Sequence, residues 1–195
     1  MGPSYAVSVT TSGSGATWND TTNALTEDGM RATASPGFPS DTLNLDVFGF
    51  PFSTIPLTAT INGIVAEVGV YSAPGTTVHD GAIYLIKTGA AISADRKRSP
   101  GYTWPASGEV VTYGTATDIG SWGAISASDV TNSTFGFRLK GTITSIGGTA
   151  AIDFVRLTVY YTPLGGSVYD SFMDLIRAVG RKISCQITPS SACAK

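Results

Sequence analysis

Histidine and cysteine are scarce in this 195-residue chain, which has one histidine and two cysteines. His79 has no second histidine near it, and Cys185 and Cys193 match no zinc or haem spacing. A transition-metal site is therefore not expected, because such a site takes several imidazole or thiolate ligands. The two cysteines are expected as free thiols, with a disulfide as the alternative if the protein reaches an oxidising compartment.

Charge is also low, since only 13% of the residues are charged and the net charge is −2, with a pI near 5.2. This balance produces no field that would gather nucleic acid or an anionic membrane. No apolar run approaches the roughly 20 residues that span a bilayer, and the first residues do not resemble a secretion signal. We therefore expect a soluble protein, made in the cytoplasm, that binds neither nucleic acid nor membrane.

Motifs that carry catalysis or phosphate binding are missing as well. There is no G-x-S-x-G elbow, no G-x-G-x-x-G and no P-loop. His79 and Asp80 are predicted to lie in an ordinary loop. Asp41, Asn44 and Asp46 do not have the spacing of a calcium loop, so they are expected to be solvated side chains on a strand. The sequence thus predicts no enzyme activity and no cofactor.

Glycine, proline and hydrophobic residues are plentiful: 23 glycines, 10 prolines and 42% hydrophobic residues. This composition is typical of many short strands joined by turns. Residues 48–71 are the centre of the pattern. Apolar residues alternate up to Val47, Pro51 and Pro56 predict a crossing between two sheets, and 61–70 predicts an inner strand with a bulge at Gly63.

The other strand signals extend the same pattern. Trp18 is expected to plug one end of the core, with its indole N–H on a carbonyl. Two long β-rich runs, 134–146 and 149–161, meet at Gly147-Gly148 and predict a tight hairpin. Shorter strands are predicted within 5–9, 82–87 and 110–113. Residues 1–163 are therefore predicted to be all-β, an antiparallel jelly-roll-like β-sandwich.

Residues 164–195 are predicted to be a linker, an amphipathic α-helix and a tail. Ser167 suits the start of the helix and Gly180 its end. The apolar stripe of this helix is formed by Phe172, Leu175, Ile176 and Val179. We expect these residues to form an assembly interface with another chain; the alternative is docking on the protein's own sandwich.

The long segment 90–108 is predicted to be an exposed loop and a candidate contact surface. It carries Arg96, Arg98, Tyr102 and Trp104, and arginine and aromatic side chains are enriched where binding energy concentrates. The alternative is an ordinary solvated loop whose tryptophan folds back onto the sandwich.

An ordered set of short motifs resembles a recurrent family of phage structural proteins. The resemblance covers most of residues 18–161. The motifs that carry the resemblance are Trp18-Asn19, Asn23-Ala24, Glu27-Asp28-Gly29, Ala32, Phe48-Gly49-Phe50, Ile55-Pro56, Ala59-Thr60-Ile61-Asn62-Gly63-Ile64, Trp122-Gly123, Phe135-Gly136-Phe137 and Val159-Tyr160-Tyr161. The long loop at 90–108 and residues 167–195 depart from the family pattern.

The resemblance implies a single β-sandwich domain in a virion, with no catalytic residues. It favours a capsid decoration or cement protein, or a head–neck accessory protein, attached through the C-terminal helix to major capsid or neck and tail proteins. A homo-oligomer is expected, with a trimer as one option. The alternative is a carbohydrate-binding receptor-recognition module of a tail or fibre, in which Tyr102, Trp104 and Tyr113 would stack on a glycan.

Overall fold

A computed structural model of the protein describes residues 1–92 and 95–164. The chain divides into two units, Met1–Thr162 and Pro163–Lys195, and the account below concerns the first. The predicted C-terminal helix, with Phe172, Leu175, Ile176 and Val179, lies outside the described residues. The division predicted between residues 163 and 164 stays a prediction.

Two antiparallel sheets make up the described unit, which confirms the all-β sandwich. Sheet A contains β1 (Ser4–Tyr5), β3 (Ala32–Ala34), β6 (Thr60–Ser72), β9 (Glu109–Tyr113) and β11 (Ala150–Thr162). Sheet B contains β2 (Ser8–Ser12), β4 (Ser40–Asp41), β5 (Asn44–Phe48), β7 (Val78–Lys87), β8 (Ala90–Ala91) and β10 (Gly136–Ile143). Short helical segments lie at Thr21–Ala24, Gly120–Trp122 and α1 (Ala127–Val130).

The strand order interleaves distant parts of the chain. Sheet A has the order β1-β11-β6-β9, with β3 also paired to β11. Sheet B has the order β2-β5-β10-β7-β8, with β4 also paired to β10. The long strands β6 and β11 pair over most of their length, so that the centre of sheet A joins the middle of the sequence to its later part.

The predicted crossing between sheets is confirmed. Strand β5 belongs to sheet B and β6 to sheet A, so the proline-marked residues 49–59 carry the chain from one layer to the other. The bulge is confirmed too, because the β6–β11 register shifts where Ile61 and Gly63 face Tyr161 and Tyr160. A side chain at Gly63 would collide with the backbone carbonyl of Thr115.

The hairpin predicted at Gly147-Gly148 is wrong. Strand β10 pairs with β5 and β7 in sheet B, whereas β11 pairs with β6 in sheet A. The two apolar faces therefore lie opposite each other across the core, where Leu139 and Leu157 are both fully buried. Gly147 has φ +64° and turns the chain between layers rather than within one ladder.

The opening strand also differs from its prediction. The chain pairs with β11 at Ser4–Tyr5 and then with β5 at Ser8–Ser12, so a single predicted strand serves both sheets. Ala6 is buried at the switch and Val7 is 72% exposed. The alternation of apolar and polar residues predicts which side chains face the core, but it does not predict which neighbouring strand supplies the backbone hydrogen bonds.

Two tryptophans close the core. Trp18 is buried and donates its indole N–H to the carbonyl of Leu43 at 2.8 Å, which confirms the predicted plug. Trp122 makes the equivalent bond to Ile64 at 2.8 Å. Every buried polar side-chain atom in residues 1–92 and 95–164 has a hydrogen-bond partner, as expected of a well-packed domain.

Candidate functional site

Residues 95–104, here called the strap, run along the free edge of β7. The backbone N–H of Arg96 donates to the carbonyl of Ile83 at 2.8 Å, and that of Trp104 donates to the carbonyl of Val78 at 2.9 Å. The Asp95 carboxylate accepts the N–H of Ile83 at 3.0 Å. The strap therefore covers an edge that would otherwise present unpaired backbone groups to solvent.

Asp80 holds the strap to both sheets. This β7 carboxylate is 8% exposed and accepts the indole N–H of Trp104 at 2.8 Å, the phenol of Tyr113 at 3.0 Å and the backbone N–H of Arg98 at 2.9 Å. Tyr113 lies on β9, so a single side chain links sheet B, sheet A and the strap. Burial, together with the Asp80 carboxylate, raises the pKa of Tyr113 above its ordinary value.

His79 and Asp80 lie in strand β7, so their predicted loop position is wrong. Successive strand residues point to opposite faces, and the Nδ1 atom of His79 lies 2.9 Å from the Tyr102 carbonyl oxygen. Within the described residues, neither side chain bonds a serine.

The predicted contact residues are one core residue, Trp104, and three half-buried ones, Arg96, Arg98 and Tyr102. Trp104 is 1% exposed, so the alternative in which it folds back onto the sandwich is correct for this residue. The guanidinium of Arg98 lies 4.4 Å from the ring centroid of Tyr102, and that of Arg96 lies 5.7 Å from Trp122. A contact role for the strap itself stays a prediction.

The aromatic glycan platforms are largely contradicted by burial. Trp104 is 1% exposed and Tyr113 is 3% exposed, and both turn their polar atoms to Asp80. An aromatic side chain stacks on a sugar ring only through an open face, which these two residues do not offer. Tyr102 alone of the three stays half-buried, with its hydroxyl 3.3 Å from the Glu109 carboxylate.

The acidic residues near β5 are not all solvated as predicted. Asp46 is 3% exposed and pairs with Arg138, with both nitrogen–oxygen distances at 2.6 Å. Asp41 stays at the surface, where Lys140 lies 3.0 Å away. Partial burial alone would raise the pKa of Asp41. The hydrogen bond from Thr142 and the charge of Lys140 together outweigh this effect, so the pKa lies below its ordinary value. In the described ranges, no group of histidine, cysteine or carboxylate side chains is arranged to hold a metal.

Sequence reasoning missed a hollow on the outer face of sheet A, here called the sheet A hollow. It has a volume of about 270 Å³. One wall comes from the segment before β3 and the other from the start of β9, and the floor comes from β6 and β11. The lining side chains include Glu27, Arg31, Tyr71, Glu109, Asp153 and Phe154. No motif could have signalled them, since they come from separate parts of the chain.

Comparisons of the chain with family models, with curated proteins and with solved structures gave no match. No helix in the described ranges is long and apolar enough to cross a membrane.

Proposed function

We propose that this protein is a non-enzymatic structural component of a phage virion, a capsid decoration or cement protein, with a head–neck or tail accessory protein as the close alternative. The observation that carries the proposal is the position of the phage-like motifs. Trp18 bonds the Leu43 carbonyl, Trp122 bonds the Ile64 carbonyl, and the Cβ position of Gly136 is filled by β5. Residues of the phage-like motifs that pack and bond within the fold in this way support a structural role.

We further propose that the sandwich is a jelly roll. Support comes from two four-stranded paths, β3-β11-β6-β9 and β5-β10-β7-β8. Along these eight strands the chain changes sheet at every step except that from β7 to β8. Eight strands in two sheets with long crossings are the jelly-roll architecture, which capsid proteins use.

We assign attachment of the protein to the particle to residues 164–195. Residues 167–195 are also where the sequence departs from the family pattern. Phe172, Leu175, Ile176 and Val179 would pack on major capsid or neck and tail proteins, or on further copies in a homo-oligomer such as a trimer. Each large apolar side chain buried in this way contributes about 1.5–3 kcal/mol. A few of them together are enough to hold a subunit on a particle.

Quantitative mass spectrometry of purified particles tests the virion role. A cement protein should be present at a copy number comparable to that of the major capsid protein. A few copies per particle would favour the accessory role, and absence from the particle would reject both.

Truncation after Gly165 tests the attachment. We expect the remaining sandwich to melt cooperatively but to lose self-association and particle binding, as measured by light scattering and a particle-binding assay. A full-length Leu175→Asp variant keeps the chain length and puts a charge into the apolar stripe, so it should also weaken self-association and particle binding. A truncated protein that binds particles normally but melts at a lower temperature would instead indicate docking on its own sandwich.

A further inference from the structure

The sheet A hollow is built as a groove with a fixed floor. Gly69 lies on β6 beneath Phe154, and a Cβ there would lie 2.9 Å from the phenylalanine ring. The ring of Phe154 can therefore pack against β6 at this position only because residue 69 is glycine. The backbone N–H of Gly29 donates to Asp153 at 3.0 Å and ties the wall segment down to β11.

Three carboxylates face this groove, and each is held by one oxygen. Oε2 of Glu27 accepts Tyr5 and Arg156, both at 2.7 Å, and Oε2 of Glu109 accepts the Tyr102 hydroxyl at 3.3 Å. Asp153 uses Oδ1 for Gly29. Among the described residues, the other oxygen of each carboxylate has no hydrogen-bond partner. The groove thus presents oriented acceptors.

Arg31 provides the donors. Its guanidinium carbon lies 4.2 Å from the centroid of the Tyr71 ring, and its backbone carbonyl accepts the Asn23 amide at 3.2 Å. Within residues 1–92 and 95–164, its guanidinium forms no salt bridge. A second hollow of about 320 Å³ also borders Arg31 and Tyr71. Arg31 and Tyr71 therefore lie between the two hollows, which together form one groove.

We propose that this groove binds a neutral saccharide. Each sugar hydroxyl both donates and accepts a hydrogen bond, which suits free carboxylate oxygens beside a free guanidinium. An acidic ligand would meet three carboxylates, and an apolar one would desolvate all four charged groups without replacing their hydrogen bonds. Each hollow is near the lower end of the roughly 300–1,000 Å³ typical of ligand pockets, which suits one or two sugar rings.

This inference does not depend on the virion role, because it is argued from the groove residues alone. It is tested on the purified full-length protein, without particles. The protein is screened on an array of neutral and acidic oligosaccharides, and the strongest neutral binder is then titrated by calorimetry. Arg31→Ala removes the donors, and Ser107→Trp fills the hollow from an exposed lining position. Arg96→Ala is the matched control, since Arg96 is also stacked on an aromatic ring but lies on the strap.

The proposal is supported by saturable binding that weakens about tenfold or more in Arg31→Ala, as expected for the loss of a charged hydrogen bond. Binding should also weaken in Ser107→Trp, where the new side chain occupies the hollow, and it should be unchanged in Arg96→Ala. Melting curves of the three variants should match that of the parent. Three results would overturn it: no binding to any neutral saccharide, binding only to acidic ones, or binding lost in Arg96→Ala and kept in Arg31→Ala.

Discussion

Asp80→Ala is the most informative single change to the fold. In the parent protein, the Asp80 carboxylate accepts the buried Trp104 indole, the buried Tyr113 hydroxyl and the Arg98 backbone N–H. Alanine leaves all three donors without their acceptor. Because Trp104 and Tyr113 are 1% and 3% exposed, water cannot readily take the place of the carboxylate.

The expected loss follows from these two buried donors. Each unsatisfied buried donor costs about 1–3 kcal/mol, so the variant should lose about 2–6 kcal/mol of unfolding free energy. That is a large share of the roughly 5–15 kcal/mol that stabilises a typical domain. At about 2–4 °C per kcal/mol for a domain of this size, a loss near 4 kcal/mol lowers the melting temperature by about 8–16 °C.

Urea denaturation and calorimetry measure this loss, with His79→Ala as the control on the same strand. His79 makes one bond to the Tyr102 carbonyl, so its removal should cost only about 1 kcal/mol. A double-mutant cycle with Tyr113→Phe separates the network from a simple cavity, because coupled residues deviate from additivity by about 0.5–3 kcal/mol. A loss in Asp80→Ala no larger than that of the control, or strict additivity with Tyr113→Phe, would refute the reasoning.

Two further changes test other parts of the fold. Burial and the Asp80 carboxylate raise the pKa of Tyr113, so the folded state keeps a proton that the unfolded state releases near pH 10, and stability should fall as pH rises above about 10. Tyr113→Phe should flatten that fall by up to about 1.4 kcal/mol per pH unit in urea titrations, and an unchanged slope would contradict this. Asp46→Ala strands a partly buried Arg138 and should cost about 3 kcal/mol in the same assay. Arg138→Met is its comparison: it leaves the more deeply buried Asp46 carboxylate without its partner and should cost at least as much. A loss near zero in either variant would argue against a stranded charge.

Local patterns predicted the parts of the fold that depend on one segment at a time. Proline and alternation placed the crossing at 50–56, within the 49–59 that connect β5 to β6, and the bulge at Gly63, since both are consequences of backbone chemistry within a few residues. The plug formed by Trp18 followed from the need of a buried indole N–H for an acceptor. The four-residue helix α1, capped reciprocally by Ser126 and Asp129, went unpredicted although its capping signal is local.

The candidate site was predicted less well than the fold. Trp104 was expected at a contact surface, yet it lies in the core because Asp80 offers its indole a buried acceptor. The sheet A hollow was not foreseen at all. Its donor Arg31 and its acceptor Asp153 are brought together by sheet pairing across more than half of the chain.

The sequence by itself determined the class of the fold: alternating apolar residues, turn-forming glycines and prolines, and little charge allow two β layers around one apolar core. The tertiary structure alone decided which strands are neighbours. Strands β10 and β11 have the periodicity of a hairpin, yet they lie in opposite sheets. The physical reason is that period-2 alternation specifies the face each side chain takes, whereas backbone hydrogen bonds are the same for every partner, so only packing of the whole core selects the pairing.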